Sequence, residues 1–294
     1  MTTAATTTEK AGTANRSRQS RRREEILLAL LNRISGDKAE DLVVRLLEAP
    51  EKLEAVAREI GASPSVEALR KLGTTLDIMK SGRLEADYAY VGLPDEARAC
   101  GFREGFETFM RSRLGKRADS FALMFEHLDR HRDPLIIETG CLRVPNNWEG
   151  DGQSTFQFDW YAREKNGSVI TIDINPDSID SARRACSGVT QTILNDSVSA
   201  LDMLSARMTG PAALIYLDSF DLDMKDPMPS AVHHALEIMA VRSLIGPGTL
   251  ICVDDFNVPP LGPGGKGLIV DQFLHNIRAE VLYSGYQKLW RMPG

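Results

Sequence analysis

Leu214-Ile215-Tyr216-Leu217-Asp218 and, further along the chain, Leu250-Ile251-Cys252-Val253-Asp254-Asp255 are two short apolar runs of β type that each end in acid. Buried parallel strands read as near-continuous apolar runs, and open α/β sheets bind ligands at the carboxyl ends of their strands. Side by side, the two strand ends would converge three carboxylates on one point. Unpaired carboxylates repel one another and resist desolvation, so such a cluster is favourable mainly around a hard divalent cation such as Mg²⁺. The two runs therefore predict an α/β sheet and a metal-assisted enzyme. The competing reading of Asp254-Asp255 is a strand terminus that caps a following turn, with no metal.

Outward from these runs, strand and helix patterns alternate. Strands are expected at Leu135–Glu138, Ser168–Asp173, Thr190–Leu194, Ala213–Asp218 and Thr249–Asp254, with helices near Ser154–Arg163, Ser178–Cys186, Ser197–Met208 and Ala231–Val241. Val281–Ser284 and Gln287–Arg291, separated by Gly285-Tyr286, read as a closing antiparallel hairpin. Alternation at this spacing predicts a doubly wound, mostly parallel, seven-stranded Rossmann-like sheet over residues 129–294.

The N-terminal part reads differently. Residues 24–128 form a helical module in this reading, with apolar residues at helical spacing (Ile26, Leu27, Leu30, Leu31, Ile34) and Gly, Pro or Ser breaks between helices. Its apolar faces suggest a homo-oligomer interface or a cover over the acceptor pocket. Residues 1–23 carry a net charge of +5 in a Thr/Ala/Ser-rich setting and read as a disordered basic tail, with a transit peptide or a nucleic-acid-touching arm as alternatives. The whole chain carries −6, which leaves an acidic body and argues against nucleic acid as the main substrate. No apolar run reaches the roughly 20 residues that a bilayer crossing needs. The four cysteines form no CxxC pair, so a disulfide framework and a structural zinc are not indicated, and a reducing cytoplasm fits.

Between these parts lies a nucleotide-type half. Ile136-Ile137-Glu138-Thr139-Gly140-Cys141 is a strand running into a turn whose glycine lets a ligand approach the backbone. It lacks the GxGxxG of dinucleotide binders, which lowers the odds of hydride transfer. The next strand ends in Asp173, placed to accept from both ribose hydroxyls of an adenosine group, and Asn195-Asp196-Ser197 offers an acceptor for an exocyclic amine and a donor for a ring nitrogen.

Taken in order, Glu138-Thr139-Gly140, Asp173-Ile174-Asn175-Pro176-Asp177, Asn195-Asp196-Ser197, Leu217-Asp218 and Val253-Asp254-Asp255 resemble the motifs of class I S-adenosylmethionine-dependent methyltransferases. The last two are similar to the metal-binding strand ends of the catechol O-methyltransferase-like branch, which includes sugar- and antibiotic-modifying O-methyltransferases and cephalosporin-hydroxylase-like proteins. The similarity covers about residues 134–292. It implies that Asp173 binds the ribose, Asp196 and Ser197 flank the adenine, and Glu138 and Gly140 line the methionine end. It also implies that Asp218, Asp254 and Asp255 ligate Mg²⁺.

Two departures stand out. Asp173 follows Gly140 by 33 residues, more than the ~20 of a compact unit. The excess is Leu142–Gly152, expected to form a lid over cofactor or substrate with Trp148 as an apolar contact. In addition, three residues past Asp218, where the family often carries a lysine or histidine, this chain has Asp221. Candidate bases are Asp221, ranked first by position, then His233, His234 and Lys266; a carboxylate beside Mg²⁺ loses basicity, and adjacent histidines on a helix cannot point the same way. Asp221 and Asp223 also fit solvated loop acids. Gly262-Pro263-Gly264-Gly265-Lys266-Gly267 lacks the spacing of a phosphate loop and reads as a mobile loop beside the site. The expected function is Mg²⁺-assisted methyl transfer from S-adenosylmethionine to a hydroxyl of a small molecule, either a sugar or polyol of a secondary metabolite or a catechol-like diol. The rival readings are a metal-dependent hydrolase and a non-catalytic scaffold that binds the cofactor.

Overall fold

The computed structural model describes residues 85–294; the basic tail at 1–23, most of the helical module, and the homo-oligomer contact assigned to it lie outside the described residues. Seven strands form one sheet: β1 (Leu135–Thr139), β2 (Ser168–Asp173), β3 (Thr190–Leu194), β4 (Leu214–Leu217), β5 (Leu250–Val253), β8 (Glu280–Ser284) and β9 (Lys288–Arg291). A separate two-stranded ribbon pairs β6 (Asn257–Val258) with β7 (Gly262–Pro263). The sheet order is β3-β2-β1-β4-β5-β9-β8. β9 alone runs against its neighbours. This is the expected doubly wound, Rossmann-like architecture, and the order reverses direction between β1 and β4.

The central strands β1, β4 and β5 are the Ile-, Leu- and Val-rich runs, and β4 and β5 are buried along their whole length. Each sends alternate side chains to opposite faces, where both sets are covered. Ile136, Leu214, Tyr216, Leu250 and Cys252 join one core cluster, and Ile137, Ile215, Leu217, Ile251 and Val253 join the other. The edge strands β3 and β8 are only partly buried or exposed.

Among the described residues, six helices of nine residues or more accompany the sheet: α1 (Ala118–Leu128), α2 (Ser154–Glu164), α3 (Pro176–Ala185), α4 (Ser197–Arg207), α5 (Met228–Ala240) and α6 (Leu268–Asn276). Two of them start where short polar side chains satisfy orphan amides. Asn175 Oδ1 accepts from the Asp177 amide at 2.9 Å with Pro176 at the first helical position, and Asp196 Oδ1 accepts from the Ser199 amide at 2.9 Å.

The boundary expected near residue 129 moves. The compact unit that contains the sheet runs from Arg83 to Gly294. The aromatics of residues 85–128 are the reason, because they complete one sheet face instead of a separate bundle. Phe102 packs edge-on against Phe125 and Tyr161 at centroid distances of 4.5 and 5.2 Å, and Tyr88 packs on Phe156 at 5.3 Å. Phe121 stacks over the β4 residue Tyr216.

Candidate active site

Parallel register brings the strand ends level. Thr139 pairs with Ile172 and Leu217, and Leu217 pairs with Val253. The next residue on each strand is therefore Asp173, Gly140, Asp218 or Asp254, a row across the carboxyl edge of the sheet. Backbone bonds carry the ladder into that row: Gly140 N donates to Ile172 O at 2.8 Å, Asp218 N to Thr139 O at 2.9 Å, and Asp254 N to Leu217 O at 3.1 Å.

Gly140 sits at the switch point with φ +79°, where a Cβ would lie 2.3 Å from Asp218 O. Only glycine fits there. The turn it makes delivers Cys141 N to Asp173 Oδ2 at 3.1 Å, while Asp173 Oδ1 accepts from Asn175 N at 2.7 Å. Asp173 also faces a cavity of about 270 Å³ whose wall includes Ile174, Asp196, Ser197, Phe220 and His233. A smaller pocket of about 20 Å³ leads from Asp173 past Gly140 and Cys141 to Asp218 and Ser219. A carboxylate and a bare turn at one end, with a wall of apolar side chains, a carboxyl, a hydroxyl and an imidazole at the other, suit an adenosine group joined to a short polar tail.

The other residues expected at the cofactor are placed as follows. Asp196 lines the cavity and also caps α4. Ser197 Oγ lies 2.9 Å from His233 Nε2 on the cavity wall. Glu138 stands behind the wall, fully buried, with its carboxylate accepting from Ser154, Thr155 and Thr171 hydroxyls at 2.6, 2.7 and 2.6 Å. Burial pushes its pKa up to about 7 despite those hydroxyls. It braces β1 against α2 and β2.

The three aspartates do converge: one carboxylate oxygen from each of Asp218, Asp254 and Asp255 lies within 4.8 Å of the others. They are not, however, unpaired. The Lys266 ammonium bridges Asp218 Oδ1 and Asp255 Oδ2, the latter at 3.1 Å. The Arg117 guanidinium takes both oxygens of Asp254 at 2.7–3.1 Å, with both side chains almost fully buried. Tyr286 donates to Asp255 Oδ1, and its ring lies 4.7 Å beneath the Arg117 guanidinium. Burial works to discharge Lys266, but the carboxylates of Asp218, Asp255 and Asp254 outweigh it and raise its pKa above the usual lysine value. For Arg117 the desolvation is likewise overcome by Asp254, and its pKa rises.

The candidate bases separate. Asp221 is exposed and paired with Arg143 Nη1 at 2.8 Å, outside the carboxylate cluster. His233 lines the larger cavity beside Asp196 and Ser197, away from the carboxylate cluster. His234 faces the interior with no exposure, its Nδ1 2.8 Å from Ser230 O, and burial lowers its pKa to about 4. Of the four, only Lys266 touches the aspartates. The residue missed altogether was Arg117, whose position in a short turn (Gly115–Arg117) before α1 carries no local sign of a partner 137 residues away.

Two loop readings also change. Trp148 is buried, donates its indole N–H to Val91 O at 2.8 Å and packs edge-on against Phe156, so the Leu142–Gly152 insertion is pinned to the 85–100 segment at its centre. The glycine-rich loop is not a loose flap: it folds as the β6–β7 ribbon and a short turn (Gly265–Gly267) that inserts Lys266 into the cluster. At Gly265, φ is +43° and a Cβ would lie 2.0 Å from Asp255 O.

No protein-family model matches this chain, and no curated protein matches it. Among solved structures it is similar to the O-methyltransferase TomG from Streptomyces achromogenes, involved in tomaymycin synthesis and solved with SAM, at 17% identity over 70% of this chain and 94% of that one (TM-score 0.43). It is also similar to the MycE methyltransferase of the mycinamycin biosynthetic pathway, solved with Mg and SAH, at 14% identity over 87% of this chain and 63% of that one (TM-score 0.44). A third is the Podospora anserina methyltransferase PaMTH1 with SAH, at 17% identity over 75% and 96% (TM-score 0.43). At these identities the likeness is one of fold alone.

Proposed function

We propose that this chain is an S-adenosylmethionine-dependent methyltransferase that acts on a hydroxyl of a small molecule. The observation that carries the reading is the row Asp173, Gly140, Asp218 at the switch point of the sheet, opening on the cavity walled by Asp196 and Ser197. Open α/β sheets bind their ligands in the crevice outside the carboxyl ends of the strands, at the point where the strand order reverses, which supports this reading. The bare turn at Gly140 leaves room for a backbone-hugging ligand, and Asp173 offers acceptors for vicinal hydroxyls.

Bound in that crevice, S-adenosylmethionine would supply a sulfonium methyl; its transfer breaks the S–C bond, forms an O–C bond to the acceptor and releases the hydroxyl proton. The chain's part is positional and electrostatic. Asp173 and the Gly140 turn orient the adenosine end, and the small pocket between Cys141 and Ser219 directs the tail toward Asp218. Asp218, on the wall of that pocket, is the group placed to receive the proton. Arg143 lines that small pocket as a cationic group and is paired with Asp221.

The test is calorimetric titration of the full chain with S-adenosylhomocysteine, beside the variant Asp173→Asn, which keeps an acceptor for Cys141 N. Saturable micromolar binding that weakens about tenfold or more in the variant is expected, the loss of one charge-assisted hydroxyl contact. Absence of saturable binding by the wild-type chain overturns the reading.

A further inference from the structure

We propose that Lys266 occupies the cation position among Asp218, Asp254 and Asp255, so that this chain binds its cofactor, and works, without a divalent metal at the carboxylate cluster. The donor set is what a hard cation takes, three carboxylates with oxygens within 4.8 Å. What disagrees with a metal is how those oxygens are already used. Lys266 Nζ bridges Asp218 and Asp255, and Arg117 engages Asp254 through both oxygens. Two cations bonded to these carboxylates already supply the positive charge that a divalent ion would bring. Mg²⁺ demands near-octahedral oxygen coordination and would have to displace at least the ammonium.

Displacement has nowhere to send it. Lys266 is 1% exposed, and its backbone is tied to the same site, its N–H donating to Asp255 O at 3.3 Å while Gly264 N donates to Phe256 O at 2.9 Å. The close approach at Gly265 seats this turn against Asp255. An expelled ammonium would therefore stay buried without a counter-ion or take the turn apart, and either outcome is costly. Asp255 itself has φ +48°, a left-handed conformation that turns its carboxylate back toward Lys266 and Tyr286. The geometry is built around an ammonium.

The inference concerns the cluster itself, so its failure and that of the methyltransferase reading are separable. Mn²⁺ serves as a spectroscopic probe for Mg²⁺, read by electron paramagnetic resonance on the EDTA-treated, dialysed full chain, with S-adenosylhomocysteine titrations run in parallel, one in EDTA and one in excess Mg²⁺. The wild-type chain is expected to show no Mn²⁺ site tighter than millimolar, and any S-adenosylhomocysteine affinity is expected to stay within about twofold with and without Mg²⁺. Lys266→Ala, which leaves three carboxylates against Arg117, is expected to gain one Mn²⁺ site, at least about tenfold tighter than wild type. A micromolar wild-type Mn²⁺ site that is lost in Asp255→Asn overturns the proposal. So does a folded Lys266→Ala chain, verified by circular dichroism, that gains none. Should that variant unfold, the wild-type titration decides alone. If S-adenosylhomocysteine fails to bind, the methyltransferase reading falls while the Mn²⁺ result still stands.

Discussion

At the scale of single residues, burial decides what each titratable group can do. His234 was a candidate base by residue type, yet it sits in the interior with its pKa lowered to about 4 by desolvation. A histidine depressed in the folded state contributes stability that is fully present above its ordinary pKa of about 6.5 and is lost as pH falls toward 4. The expected size is on the order of 3 kcal/mol. Urea-denaturation midpoints measured from pH 7.5 down to 4 should fall more steeply for wild type than for His234→Gln, and parallel curves would remove this account. Glu138 acts in the opposite sense, since its raised pKa makes its contribution largest at low pH and lost as pH rises toward about 7. Gly265 makes a second residue-scale case. With φ +43° and Asp255 O 2.0 Å from the place of a Cβ, Gly265→Ala should cost on the order of 2 kcal/mol, seen as a lower Tm. The motif at Gly262–Gly267 was visible in the sequence; its meaning was not, because glycine composition marks a special backbone without saying what the backbone approaches.

Among the elements, the decisive joint lies between the turn before α1 and the end of β5. Arg117 and Asp254 are 5% and 1% exposed in their side chains and bonded through three contacts. Removing one member of a buried pair strands the other, which costs about 3–5 kcal/mol, whereas replacing both with apolar groups is often near neutral. Arg117→Leu should therefore lower ΔG of unfolding by that amount, and Arg117→Leu with Asp254→Leu should recover most of it. Additive losses in the double variant would mean that the two side chains do not act as a pair. Strand identity, by contrast, was legible element by element. β2 and β3 begin and end where the apolar pattern places them, and β1, β4 and β5 differ only at a terminal residue or two. The helices α3 and α5 begin two or three residues before the apolar pattern does, at Pro176 and Met228, because proline in the first turn costs no hydrogen bond.

For the whole molecule, the segment 85–128 is part of the sheet domain. It supplies Phe102, Phe106, Phe121 and Phe125 to one core cluster, all fully or almost fully buried. A chain starting at residue 129 should thus expose that face and bind a hydrophobic dye or aggregate, while a cooperative unfolding transition from such a chain would contradict the packing described. Among the described residues no helix is long and apolar enough to cross a membrane. The amino-acid sequence by itself determined the alternation of strands and helices, the glycine at the switch point and the acids at the strand ends, because these follow from local pattern: apolar runs of strand length, turn chemistry, and a side chain at the last residue of each strand. Only the tertiary structure decided what those acids face. Asp218 meets a lysine 48 residues later, and Asp254 an arginine 137 residues earlier. Charge pairing in a buried site depends on which strands and turns come together in space, and nothing in the neighbouring sequence of either partner records it.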